Sequence, residues 1–253
     1  MSVPPVTLRR VFWRCLFLQA AWNRRGMQNL GFAYAMDPAL RRLYADPRAR
    51  AEALHRHLAT FNCHPYTAAA IVGGAIHHEE RVAAGEEPPG VPLEYKQVLQ
   101  GPLAAVGDGF FWAGLRPFFG ALAAAGTLAL GWPALVVAVL AYNAFHLRLR
   151  WTLFRAGYRS GDAVVQRLAS LSLPAWAARL RDAGTVLVGV GGGLLVLAAA
   201  RRGGAGEALV TVAAAAAAVL ALSLRARLLP LAYAAIAAGT ATGFAVLVSK
   251  GGP

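Results

Sequence analysis

Charge is scarce in this 253-residue chain. Charged residues make up 15% of it, against about a quarter in an ordinary soluble domain. Hydrophobic residues reach 57%, more apolar side chain than a core of this size can hide. That imbalance excludes a typical soluble domain and predicts an integral membrane protein. Acid is scarcer than base: 12 acidic residues face 25 basic ones, a net charge of +13. Lysine is nearly absent, with only Lys96 and Lys250, so the basicity is arginine. A basic excess can serve nucleic acid or anionic lipid. Here the arginines flank apolar runs and no nucleic-acid motif accompanies them, so lipid headgroups and membrane orientation account for the charge. The two cysteines, Cys15 and Cys63, form no CxxC pair and read as free thiols of a reducing compartment. There is no P-loop, dinucleotide fingerprint, serine-nucleophile motif or HExxH, which leaves those enzyme classes without support. The apolar stretch 11–21 is interrupted by Arg14 and has no clean small-residue cleavage site. It predicts a helix at the membrane surface rather than a secretory leader. No internal repeat is visible.

What is present divides the chain into two halves. Residues 1–100 carry twelve basic and eight acidic residues; residues 101–253 carry thirteen and four. Five apolar stretches stand out in the second half, at 101–130, 133–147, 183–200, 208–224 and 228–248. A membrane span needs about 20 residues. The expected fold is therefore all-α and polytopic, with about five apolar spans. The first stretch contains Asp108, Arg116 and several glycines, which predicts irregular backbone, part re-entrant loop and part helix. Seven arginines lie within 148–182, which predicts a basic cytoplasmic loop there. Alternating crossings then place 131–133 and 201–207 outside and 225–227 inside.

The first half reads as helices punctuated by loops, amphipathic or partly re-entrant. Asp46 followed by Pro47 predicts an N-cap and first helical residue. Ala51, Leu54 and Leu58 continue at helical spacing. Pro65 is expected to open the next helix, which runs through Ile76 into His77, His78, Glu79, Glu80 and Arg81. Its apolar part is too short to span a bilayer. The residues from Gly85 to Pro92 form a loop.

Four polar clusters are set in these apolar surroundings: Trp22-Asn23 with Gln28; Asn62-Cys63-His64-Pro65-Tyr66; His77-His78-Glu79-Glu80; and the glycine-rich segment around Asp108. Sugars are held by amides and carboxylates that pair with hydroxyls and by aromatic rings that cover the apolar sugar face. Trp22, Asn23, Gln28, Asn62, His64, Glu79, Glu80 and Asp108 are the right types for substrate binding. Each also has a structural reading, since amides cap helices and tryptophans sit at membrane interfaces. Asp108 stands out because a carboxylate in an apolar, glycine-broken segment must be paired or wetted, and broken helices are where transporters place substrates. His77 and Glu80 share a helical face, which leaves open a metal-dependent membrane enzyme as an alternative. No metal or cofactor is expected otherwise.

These clusters, in this order and spacing, resemble the IID membrane component of the mannose/fructose/sorbose family of the sugar phosphotransferase system. The matching segments are WNRRGMQNLGFAYAM, FNCHPY, the Glu79-Glu80 pair, GPLAAVGDGFFWAGLRP and Gly157-Tyr158-Arg159-Ser160-Gly161. The resemblance covers about residues 10–165 and implies a permease subunit rather than an enzyme, in a bacterial plasma membrane. It implies pairing with a IIC subunit of related fold and opposite orientation, assembly of those pairs as trimers, and an elevator-like movement of a core domain. It further implies that cytoplasmic IIB, fed by IIA, phosphorylates a hexose or amino sugar, so no histidine here needs a phosphoryl role. The chain departs from the family pattern at Arg24-Arg25-Gly26, where an aromatic residue, a Glu and a basic residue are usual. That departure motivates a second alternative, a transport-inactive IID-like regulatory or scaffold protein.

Overall fold

The computed structural model describes residues 2–223, and the expected span at 228–248 lies outside them. The chain is an all-α membrane protein. Among the described residues there is no strand, only the isolated bridges Asn23–Met27 and Met27–Phe61. Two helical stretches are long and apolar enough to cross a membrane, Val91–Leu130 and Trp132–Arg202, and Gly204–Ala213 is a shorter apolar helix. The chain divides into two compact units between Val188 and Gly189.

In the first unit α1 spans Pro5–Cys15, with proline at its start, where no amide hydrogen is needed. It buries Val11, Phe12 and Cys15 and exposes Val6 and Trp13. Helix α2 (Asn29–Leu43) follows a tight hairpin in which Asn23 and Met27 exchange backbone hydrogen bonds of 3.0 and 2.9 Å. Helix α3 (Pro47–His57) starts as its sequence predicts: the Asp46 carboxylate accepts the Ala49 amide at 2.9 Å, and Pro47 is the first helical residue.

Helix α4 (Ala68–Ala83) is the buried centre of this unit, solvent-free from Ala68 to Ile76. It begins three residues after Pro65 rather than at it. The reason is local: the Tyr66 amide donates to the His64 ring and the Thr67 hydroxyl bonds the Leu103 carbonyl, which holds 64–67 as a turn. Glycine makes the α4–α7 contact possible. A Cβ on Gly157 would lie 2.0 Å from the Ala70 carbonyl oxygen, and one on Gly73 would lie 2.1 Å from that of Phe154. Close backbone approach at small residues is the usual way helices pack in lipid.

Helix α5 (Val91–Gly107) passes through a π-helical segment, Asp108–Leu115, into α6 (Arg116–Leu130). The irregularity expected around Asp108 is therefore a widened helix, not a loop. The extra residue per turn keeps backbone groups bonded inside the segment, and such bulges are common at functional sites. Gly131, at φ 82°, turns the chain into α7 (Trp132–Ser160). A turn at Gly161–Ala163 leads to α8 (Val164–Ser170) and then α9 (Leu173–Ser223). The arginine-rich stretch 148–182 is thus mostly helical. Its Arg150 is buried and donates to the Cys15 carbonyl rather than facing solvent. In the second unit the helix breaks at Gly204, φ 71°.

Candidate functional site

Two polar centres occupy the first unit, at opposite ends of α4. The first surrounds Glu79, whose side chain is fully buried. Its carboxylate accepts from Tyr44 Oη at 2.6 Å, from Arg56 Nε at 2.7 Å and Nη2 at 2.8 Å, and from His57 Nε2 at 2.8 Å. Burial alone would raise its pKa, but the Arg56 fork and the His57 and Tyr44 hydrogen bonds outweigh it and hold the carboxyl down at about 2. Burial pushes the His57 pKa down, while the Glu79 carboxylate 2.8 Å from its Nε2 pulls the other way. Every strong acceptor position of Glu79 is filled. Glu80, one residue on, accepts the Val3 amide at 2.5 Å and the Tyr158 hydroxyl at 2.7 Å. These carboxylates tie α2, α3, α4 and α7 together. His77 and His78 diverge: the first meets the Tyr158 carbonyl at 3.1 Å, the second Glu87 at 2.9 Å. Among the described residues no three His, Cys, Asp or Glu side chains converge as a metal site would require.

The second centre lies roughly 18 Å away by the rise of α4. It is a junction of the 23–27 hairpin, the 61–67 turn and the start of the π segment. Asn23 closes the hairpin, with Oδ1 accepting the Arg25 and Gly26 amides and Nδ2 donating to Asn29 at 2.9 Å. Gln28 is buried and clamps the Cys63 backbone at both ends, at 2.8 and 3.0 Å. The amide of Asn62 donates to the Gln100 side chain at 2.9 Å, while the Asn62 side chain is exposed. Trp22, next to Asn23 at the start of the hairpin, and Asp108, next to Gly107 at the start of the π segment, are exposed. Asp108 is exposed, so its carboxylate can be wetted, one of the two conditions its apolar setting demands.

His64 is the centre of this junction. It is 2% exposed, stacks on Phe111 at 5.1 Å and 10°, and meets the Trp112 edge at 4.9 Å. Gly107 leaves the room it needs, since a Cβ there would lie 2.4 Å from the His64 Cβ. Its Nδ1 accepts the Tyr66 amide at 3.2 Å, which assigns the proton to Nε2. That Nε2–H is buried and has no partner among the described residues. Burial, with the Arg150 charge, pushes the ring's pKa down to about 4, so it is a neutral donor at physiological pH. The junction thus offers one free buried donor, exposed amide and carboxylate groups and two indole faces, a set suited to a neutral polyol.

Sequence reasoning missed the groups α7 adds behind His64. His146 stacks on Tyr66 at 4.5 Å and 7°, Arg150 lies over the same ring at 5.3 Å, and Tyr142 meets the Tyr66 hydroxyl at 3.3 Å. His146 Nδ1 and Arg150 Nε are also buried without partners among the described residues. The signal was present: His146 and Arg150 stand four apart on α7 and so share a face, and ionisable residues in membrane helices face the interior. Counting Arg150 among charges that set orientation concealed it.

Of the eight candidates, the structure gathers Trp22, Asn23, Gln28, Asn62, His64 and Asp108 around the junction and leaves Glu79 and Glu80 at the other end of α4. Comparison with known proteins bears on what that division serves. The family profile "PTS system mannose/fructose/sorbose family IID component" matches residues 3–192. The mannose-specific EIID component of Escherichia coli K12 is 38% identical over 161 residues, 63% of this chain and 57% of that protein. The sorbose-specific EIID component of Lacticaseibacillus casei is 35% identical over 172 residues, 68% of this chain and 60% of that one. The chain thus matches these curated relatives over less than two thirds of their length. A chain in a cryo-electron microscopy structure of the mannose transporter ManYZ with microcin E492 aligns at TM-score 0.61 and 28% identity over 97% of both chains. A profile match over most of its length places the chain in the mannose/fructose/sorbose family of phosphotransferase-system IID components.

Proposed function

We propose that this chain is the IID permease subunit of a mannose-type phosphotransferase system in a bacterial plasma membrane. With a IIC subunit it forms the path for a hexose or amino sugar, and cytoplasmic IIB, charged by IIA, phosphorylates the sugar. The chain itself does transport and no phosphoryl transfer. The observation that carries this reading is the likeness to a ManYZ chain over 97% of both chains, at an identity above that of fold likeness alone. We place substrate contact at the His64 junction, where Trp22, Asn62, Asp108 and the free His64 Nε2–H are grouped. Asn23 and Gln28 position that surface. Glu79 and Glu80 support the scaffold: both oxygens of Glu79 are taken by Arg56, His57 and Tyr44, and Oε1 of Glu80 accepts from Tyr158 and Val3. IIC–IID pairs joined as trimers complete the proposed assembly.

The test is uptake of labelled mannose, glucose, fructose, sorbose, glucosamine and N-acetylgalactosamine. The cells carry matching IIC, IIB and IIA, with and without this chain. Phosphorylated intracellular sugar that depends on the chain is the expected result and names the substrate. An assembled complex that takes up none of them favours the regulatory or scaffold reading, for which Arg24-Arg25-Gly26 is the specific sequence feature.

A further inference from the structure

A pocket of about 430 Å³ lies between the start of α1 and the end of α7. Its floor is aromatic: Trp151 and Tyr158 line it, with Trp151 stacked on the buried Phe154 at 5.6 Å and 16°. Its rim is cationic. Arg9 comes from α1, and Arg155 and Arg159 stand one turn apart on α7. Each of the three is exposed, and none has an acidic partner within salt-bridge distance among the described residues. The nearby acid, Glu80, uses Oε1 to accept from the Val3 amide and the Tyr158 hydroxyl and makes no ion pair among the described residues. Pro5 also lines the pocket, so the first turn of α1, which has no side-chain cap, opens onto it and adds the positive end of a helix dipole.

We propose that this pocket binds a phosphate-bearing ligand. Guanidinium groups pair with phosphate oxygens in a bidentate fork, and three of them around one concavity outmatch what a neutral ligand needs. The volume falls in the range of small-molecule sites. The aromatic floor would cover the apolar face of a sugar or the glycerol of a lipid. The phosphate has two sources, a soluble phosphorylated hexose or the headgroup of an anionic phospholipid. The site is separate from the His64 junction and does not depend on the transport reading.

The experiment uses the full chain in nanodiscs of pure phosphatidylcholine. Glucose 6-phosphate, glucose and inorganic phosphate are titrated calorimetrically. Native mass spectrometry of chain extracted from membranes reads retained phosphatidylglycerol. Both are repeated on R155Q/R159Q and on R148Q/R167Q, which loses equal charge at exposed arginines outside the pocket. We expect saturable binding of a phosphate-bearing ligand, weakened tenfold or more in R155Q/R159Q and unchanged in R148Q/R167Q. Glucose 6-phosphate binding identifies the soluble source, and retained phosphatidylglycerol lost only from the pocket variant identifies the lipid. Equal binding of glucose, equal loss in both variants, or no binding of either phosphate source overturns the proposal. If R155Q/R159Q melts well below the native chain, R9Q takes its place. Because binding is read without transport, sugar uptake can succeed while this site fails, and the reverse.

Discussion

His64 holds a neutral imidazole in a place where a charge is costly. Its folded pKa lies near 4, below the usual value of about 6.5. A group depressed in this way stabilises the fold fully above about pH 6.5, and that stabilisation is lost as pH falls toward 4. The size is up to about 3 kcal/mol for a shift of that order. We expect the melting temperature in detergent to fall between pH 7 and 4, and His64→Gln to remove part of that slope. His57, which burial also pushes down, accounts for slope that remains. A slope that His64→Gln leaves unchanged would remove the ring from this account. Glu79 acts in a lower window, with stability present above about pH 4.3 and lost as pH falls through about 2. Glu79→Gln leaves Arg56 half-buried without its carboxylate, so we expect a loss of about 3–5 kcal/mol. Glu80→Gln, which keeps an acceptor for Val3 and Tyr158, should cost about 1 kcal/mol. Thermal unfolding of the two variants side by side checks the contrast. Similar losses would mean that Glu79 is no more a hub than its neighbour.

At the scale of elements, the α4–α7 contact is set by glycine. Gly157→Ala puts a methyl group against the Ala70 carbonyl, backbone that cannot rotate away. We expect a loss of about 1–3 kcal/mol, the usual cost of overpacking, with reduced sugar uptake. Gly192→Ala, where a Cβ meets nothing within 4 Å among the described residues, should leave both unchanged, which separates the contact from a general intolerance of alanine. The same elements show what the sequence reveals. The α3 start was legible because an Asp-Pro pair acts locally: one carboxylate meets an amide three residues on. The break near Asp108 was legible as irregularity, since glycine and proline mark it. Its form was not, because a π segment differs from a loop only in how backbone bonds are shared. The grouping of Gln28, Asn62, His64 and Asp108 needed three distant segments to meet, held by Gln28 on the Cys63 backbone and by Gly107 under His64. Arg150 was illegible for the opposite reason: the orientation rule counts arginines without asking what each touches.

At the scale of the whole molecule, the arginine distribution carries a claim about orientation. The apolar first half of α7 begins at Trp132, and its second half holds Arg148, Arg150, Arg155 and Arg159. The positive-inside rule predicts that the Ser160 end faces the cytoplasm and the Trp132 end faces outward. The native chain offers a clean background for testing this. Cys15 and Cys63 are 1% and 4% exposed, and burial pushes both thiols up to about 12. A thiol that is neither reached nor ionised reacts slowly with maleimide. The native chain in intact cells should therefore stay unlabelled by a membrane-impermeant maleimide. Trp132→Cys, at a position 73% exposed, should label from outside, whereas Ser160→Cys should label only after permeabilisation. The opposite pattern would put the arginine-rich end outside. It would also move the phosphate-binding pocket away from the compartment in which a phosphorylated sugar is made, leaving the lipid headgroup as its source.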